Sequence, residues 1–86
     1  MIINSKGENS LQIELIFGKV LKSLRIKKGI TQEQLATIST LERTYISELE
    51  NGKYQPTLTS IFDIARGLNM KPSELVRLVE LEFENQ

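Results

Sequence analysis

The chain has 86 residues, 40% of them hydrophobic, a length that fits one domain with a modest core. Cysteine and histidine are absent, which excludes disulfide bonds and thiolate metal sites and removes the commonest general base. No stretch approaches the roughly 20 apolar residues of a membrane span, and the N-terminus lacks the layout of a signal peptide. We therefore expect a cytoplasmic protein that uses no cofactor and is not an enzyme.

Basic and acidic side chains balance at 11 each, so the formal net charge is zero. Their distribution is uneven, because residues 1–30 carry six basic side chains against two acidic ones. Residues 31–55 and 56–86 each carry an excess of two acidic side chains. Such a distribution permits local contact with a nucleic acid, although a neutral protein gains less from counterion release than a basic one.

The N-terminal segment, residues 1–10, is polar and predicts a flexible arm. A domain is expected over residues 11–86. Its first helix is predicted from residue 10 or 11 to residue 28, because apolar side chains recur there at steps of three and four. Gly29 is a natural residue to follow the end of that helix.

A second helix is predicted to open at Thr31, which forms a capping-box pattern with Gln34. Ile38 is expected to close it, and residues 39–41 to form a tight turn. A third helix is then predicted from about residue 42 to residue 50, stopped by Asn-Gly. Residues 31–50 therefore have the layout of a helix-turn-helix.

Two more helices follow in the C-terminal part of the chain. Thr57 is expected to cap the fourth helix, and Asn69 to end it. The residues predicted to be buried along it are Leu58, Ile61, Phe62, Ala65 and Leu68. The fifth helix, about residues 72–84, begins with a proline, which suits a first helical turn. The fold class is all-α with five helices.

The third helix carries the residues expected to meet DNA. In a helix-turn-helix, the second helix of the motif lies in the major groove and reads bases with its early residues. Arg43 could bond guanine O6 and N7 together, and Thr44 could meet a base edge, a thymine methyl or a phosphate. Glu48 could accept a hydrogen bond from cytosine N4 or simply be solvated.

Phosphate contacts are expected around that helix. Gln32 lies at the N-terminus of the second helix, which is an anion-binding position. The hydroxyls of Tyr45 and Ser47 suit phosphate, but the Tyr45 ring is an equal candidate for core packing. Asn51 and Lys53 lie just past the third helix, where the DNA backbone comes round again.

The stretch from about Phe17 to Leu78, roughly three quarters of the chain, resembles the XRE family of phage repressors and Cro proteins. The matching text is LRIKKGITQEQLA, then YISELENGK, then the pattern P-T-L-x-x-I-x-x-I-A-x-G-L. Within that family, LERTYISELE is most similar to the controller proteins of restriction–modification systems.

The resemblance implies roles for individual residues. Gln32 and Asn51 match phosphate-binding positions of the family. Arg25 and Glu50 match a buried ion pair between the first helix and the end of the third. The positions that face the groove are Arg43, Thr44, Ser47 and Glu48.

Two residues depart from the family pattern. Thr40 stands in the turn where the family often has glycine, at a position that tends towards positive φ. A β-branched residue there predicts either a strained turn or a turn of another form. Lys71 stands at the N-cap of the fifth helix, where Ser or Asp would cap better.

The fifth helix has more apolar residues than one core-facing stripe requires. They either pack into the chain's own core or form a two-fold interface, which we prefer because such readers bind two half-sites. The expected interface residues are Leu75, Leu78, Val79 and Phe83.

The leading hypothesis is a homodimeric transcription regulator that binds a palindromic operator and blocks or recruits RNA polymerase. An antitoxin that represses its own operon is an alternative, suggested only by the acidic C-terminal segment. A protein-interaction module on the same scaffold is another, favoured by the neutral net charge.

Overall fold

A computed structural model describes residues 8–86, with side chains from residue 13 onward, and contains five α-helices over that range. They are α1 (Glu8–Lys27), α2 (Gln32–Ser39), α3 (Arg43–Glu50), α4 (Leu58–Gly67) and α5 (Pro72–Glu84). The all-α fold with five helices is thus confirmed for this part of the chain. Helix α1 begins earlier than predicted, and the rest of the predicted arm lies outside the described residues.

Side-chain caps explain where α2 and α4 begin. Thr31 Oγ1 accepts the Gln34 amide at 3.0 Å, and Gln34 Oε1 accepts the Thr31 amide at 2.8 Å, which completes the predicted capping box. Thr57 Oγ1 accepts the Ser60 amide at 3.0 Å, as expected for an N-cap. Both caps were predictable because they depend on residues only three positions apart.

Helix α5 begins without a side-chain cap from its N-cap residue, Lys71. Glu74 replaces part of that cap, because its carboxylate accepts the Lys71 backbone amide at 2.8 Å. A carboxylate in the first turn is also favourable at the positive end of the helix dipole. Pro72 occupies the first turn, where its missing amide hydrogen has no intrahelical partner to lose.

One apolar core draws residues from every helix. Its fully buried large side chains are Leu21, Leu35, Ile46, Leu49, Ile64, Leu68 and Leu75. Burying a side chain of this kind contributes about 1.5–3 kcal/mol. The core therefore lies behind α2 and α3 and fixes both against α1 and α4.

The prediction for the buried face of α4 is wrong at two positions. Leu58 is 71% exposed and Phe62 is 54% exposed. The buried stripe of this helix is centred on Ile64 and Leu68, both at 0% exposure, and the two predicted residues lie at its edge. Spacing alone indicates an apolar stripe but does not show which of its edges meets the core.

Gly18 fixes the distance between α1 and α3. A Cβ atom at this position would lie 2.6 Å from the backbone carbonyl oxygens of both Leu49 and Glu50. Because these are backbone atoms, no side-chain rotation could relieve the contact. The absence of a side chain therefore lets the end of α3 lie directly on α1.

The turn between α2 and α3 has the left-handed form with threonine in it. Thr40 has φ 54° and ψ 43°, and Ser39, expected in the turn, is instead the buried last residue of α2. The Leu41 amide donates to the Ala36 carbonyl at 2.9 Å, which closes the end of α2. Thr40 thus adopts a conformation that normally favours glycine.

None of the five helices combines the length and apolar character needed to cross a bilayer.

Candidate nucleic-acid interface

The outward face of α3 presents the four predicted base-contacting residues together. Arg43 and Thr44 are exposed, whereas Ser47 and Glu48 are half-buried. Thr44 and Glu48, four positions apart, lie opposite the buried Ile46, whereas Arg43 is exposed because it is in the first turn of the helix. The helix thus displays a short, polar, mixed-charge surface of the size that enters a major groove.

The ion pair predicted between Arg25 and Glu50 is present and is bidentate. Arg25 Nε donates to Glu50 Oε2 at 2.6 Å, and Nη2 donates to Oε1 at 3.0 Å. The two side chains are 12% and 2% exposed, respectively. A third donor, Nη1, binds the Ile30 carbonyl at 2.9 Å. The pair therefore ties the end of α1 to the end of α3.

The guanidinium of this pair stays charged. Hydrogen bonding to Glu50 raises the pKa of Arg25 above its usual value, and burial opposes that rise only in part. The attraction of the carboxylate adds to the same direction. Arg25 therefore donates to Glu50 as a cation throughout the neutral pH range.

Gln32 links the ion pair to Arg43. Its Nε2 donates to Glu50 Oε1 at 3.0 Å, and its Oε1 accepts from Arg43 Nη1 at 3.3 Å. Because a carboxylate only accepts, the amide must turn its nitrogen to Glu50 and its oxygen to Arg43. The second amide hydrogen of Gln32 remains for another acceptor, such as a phosphate. Sequence reasoning missed the link to Arg43, since these residues lie 11 positions apart with no local signal.

Tyr45 occupies the packing role that was one of its two predicted roles. Its side chain packs against the core, and its hydroxyl lies 3.0 Å from Ser60 Oγ. Ser60 is itself buried and lies 2.8 Å from Thr57 Oγ1. The hydroxyl thus joins α3 to the N-terminus of α4, and its phosphate role stays a prediction.

Asn51 and Lys53 lie at the C-terminal end of α3, both on the surface. The Asn51 amide donates to the Ser47 carbonyl at 3.0 Å and ends the helix. Lys53 Nζ lies 4.0 Å from Glu48 Oε2, a long ion pair at the surface that contributes little to stability. A phosphate could therefore draw Lys53 away at low cost.

The structure corrects the predicted interface on α5 at one residue, Leu75, and leaves the other three as predictions. Leu75 is 0% exposed within its own chain, so it has no surface for a partner. Leu78 is half-buried in a groove between α1 and α5, beside Val20 and Leu24. Val79 and Phe83 are also half-buried, and Val79 packs partly on the core. The exposed apolar residue on this side is Val76, at 47%.

Comparison with known proteins identifies the motif. The helix-turn-helix family model matches residues 21–75. The control protein C.MunI of Mycoplasma sp is 41% identical over 71 residues, covering 81% of this chain and 96% of that protein. C.BamHI of Bacillus amyloliquefaciens is 37% identical over 65 residues, covering 74% and 80%.

Solved structures show the same arrangement. The restriction–modification controller protein C.AhdI from Aeromonas hydrophila has a TM-score of 0.68 at 39% identity, covering 71% of this chain and 92% of that one. The C.Esp1396I tetramer in complex with its natural 35-base-pair operator has a TM-score of 0.77 at 33% identity, covering 84% and 95%. With α2 and α3 matching the motif in sequence and in structure, the chain belongs to the XRE-type helix-turn-helix family of DNA-binding transcription regulators.

Proposed function

We propose that this protein is a restriction–modification controller that binds a palindromic operator as a homodimer. The observation that carries the proposal is the polar surface of α3. There the exposed Arg43, at the start of α3, donates a hydrogen bond to Gln32, at the start of α2. The similarity to C.MunI and C.BamHI, both control proteins, supports the biological role. Bound to its operator, the protein would regulate transcription by blocking or recruiting RNA polymerase.

Each residue of the interface has a proposed task. Arg43 contacts a guanine. The neighbouring groove-facing side chains on α3, at positions 44, 47 and 48, restrict which bases are accepted beside it. Gln32 offers its remaining amide hydrogen to a phosphate at the N-terminus of α2. Asn51, Lys53 and the hydroxyl of Tyr45 are the further phosphate contacts. Phosphate contacts fix the register in which α3 meets the bases.

A second copy of the chain is the proposed occupant of the apolar surface shared by α4 and α5. We define this α4–α5 face by the exposed Leu58 and Phe62 of α4 and the exposed Val76 of α5. Val76 lines one pocket together with the half-buried Ile61 and Val79. The assembly of C.Esp1396I on its operator as a tetramer supports self-association. Two copies would place two α3 helices on half-sites about one turn, or 34 Å, apart. Leu78 and Phe83 stay predicted contributors at the edge of this face.

Binding to the DNA upstream of the protein's own gene tests the proposed function. Fluorescence anisotropy at about 0.15 M salt should show binding at least 10³-fold tighter than to scrambled DNA of equal length. A footprint should show two related half-sites. Salt-sensitive binding without sequence preference would refute the proposal. Loss of all double-strand binding, with a protein partner retained, would favour the interaction-module alternative.

The dimer surface has its own test, with a matched control on α5. Phe62→Glu places a charge on the α4–α5 face, whereas Leu81→Glu places one on an apolar residue of similar exposure, 43%, outside it. Sedimentation velocity should show a weaker dimer for the Phe62 variant alone, with a parallel loss of operator binding. An unchanged dimer in the Phe62 variant, or an equal effect in both, would show that the face is not the interface.

A further inference from the structure

The turn of the helix-turn-helix holds a conformational cost that something nearby must offset. Thr40 is left-handed, with φ 54° and ψ 43°. For an L-residue other than glycine this region is unfavourable, and branching at Cβ adds to the penalty. Such a conformation persists only where surrounding contacts hold it in place.

Arg66, on α4, makes those contacts. Its Nη2 donates to the Ser39 carbonyl at 3.3 Å and to Thr40 Oγ1 at 3.2 Å. The Thr40 hydroxyl donates in turn to the Ser39 carbonyl at 2.6 Å, so its proton and a lone pair are both used. Asp63 holds the other arm of the guanidinium, accepting from Nη1 at 3.0 Å. The bond to Thr40 therefore needs both the hydroxyl and the arginine, whereas the bond to the Ser39 carbonyl needs only the arginine.

The backbone of α4 comes close enough for this contact because of Gly67. A Cβ there would collide with Ser39 Oγ and would lie 3.2 Å from Ile38 Cγ1. Ser39 is fully buried at this crossing. The close approach brings the guanidinium to the C-terminal end of α2, where a positive charge is favourable to the helix dipole.

We propose that Arg66 is a positioning residue for DNA recognition. It holds the left-handed Thr40 turn and thereby sets the angle at which α3 leaves α2. Glycine adopts the left-handed conformation of such a turn without help, whereas Thr40 is stabilised in it by its contact with Arg66. The proposal rests on the proposed function, because α3 is the helix that reads the operator.

A double-mutant cycle between positions 40 and 66 tests the proposal. Arg66→Ala should raise the operator Kd about fivefold, which is roughly 1 kcal/mol, with a smaller change in binding to scrambled DNA. Thr40→Gly alone should change the Kd by less than about twofold. In the double variant, Thr40→Gly should restore most of the lost affinity, because glycine needs no contact to stay left-handed.

Arg77→Ala is the control for loss of charge. Arg77 is exposed on α5 and lies on the opposite side of that helix from Leu75. If Arg66 instead bound a phosphate, Arg66→Ala would lower the salt slope by about one and Thr40→Gly would not rescue it. Absence of rescue, or an equal loss in the Arg77 variant, would overturn the positioning role.

A measurement without DNA separates this proposal from the proposed function. Hydrogen exchange of the Leu41 amide reports the end of α2, since that amide bonds to the Ala36 carbonyl. Its exchange should quicken severalfold in Arg66→Ala and recover in the double variant. Unchanged exchange would overturn the proposal even if the operator is bound. Responsive exchange in a protein without sequence preference would instead refute the proposed function alone.

Discussion

Replacing Arg25, the basic partner of the buried ion pair, should strongly destabilise the protein. The Glu50 side chain is 2% exposed, and Arg25→Met would leave it with the amide of Gln32 as a remaining donor. Removing one partner of a buried pair costs about 3–5 kcal/mol, because a charge stays behind without compensation. We expect a loss of stability in that range.

The reciprocal change should cost less. After Glu50→Leu, the guanidinium of Arg25 still donates to the Ile30 carbonyl, and at 12% exposure it retains some contact with water. The double variant replaces the pair with two apolar side chains and should recover much of the loss. The double variant should therefore lose less stability than the sum of the losses in the two single variants.

Chemical and thermal unfolding measure both effects. For a domain of this size, 1 kcal/mol shifts the Tm by roughly 4–8 °C, so Arg25→Met should lower the Tm by at least about 12 °C. Protein concentration must be held fixed, because dimerisation adds to the apparent stability. A loss below about 1 kcal/mol for Arg25→Met, or a larger loss for Glu50→Leu, would refute the reasoning.

Three further substitutions test local features. In Gly18→Ala, the collision of the new Cβ with the end of α3 should cost about 1–3 kcal/mol. The higher helix propensity of alanine should offset roughly 1 kcal/mol of that cost. Urea unfolding would measure the net loss of stability. Thr31→Ala should cost about 0.5–2 kcal/mol by removing the α2 cap; a neutral result would contradict the cap's importance. Tyr45→Phe should cost about 0.5–1.5 kcal/mol by losing the bond to Ser60. A lower operator affinity without that destabilisation would assign the Tyr45 hydroxyl to phosphate instead.

Local patterns carried the sequence prediction furthest. The caps at Thr31 and Thr57, and the ends at Gly29 and Asn51, depend on neighbours within a few residues. The pair of Arg25 and Glu50 came from resemblance, because no local rule joins residues 25 positions apart. The exposure of Arg43 is predictable from its position at the N-terminal end of the third helix, where the chain enters from the turn.

The misses share a physical cause. Leu58 and Phe62 lie at the edge of an apolar stripe, where the relative placement of helices decides between core and surface. The excess of apolar residues on α5 predicts a partner for Leu75, but the residue is fully buried in the core of its own chain. The sequence is compatible with two forms of the turn at Thr40, because the contacts made there by Arg66, 26 positions away, leave no local signal. Tertiary packing decided each case.

The most direct test of the central claim is how well Arg43→Ala discriminates between operator and scrambled DNA. A bidentate contact to guanine is worth about 1–3 kcal/mol, so the ratio of the two Kd values should fall by roughly 5- to 150-fold. The loss should concentrate at one base pair, and changing that pair should no longer affect the variant. An Arg43→Ala protein that kept the wild-type ratio would contradict the assignment of α3 as the base-reading helix.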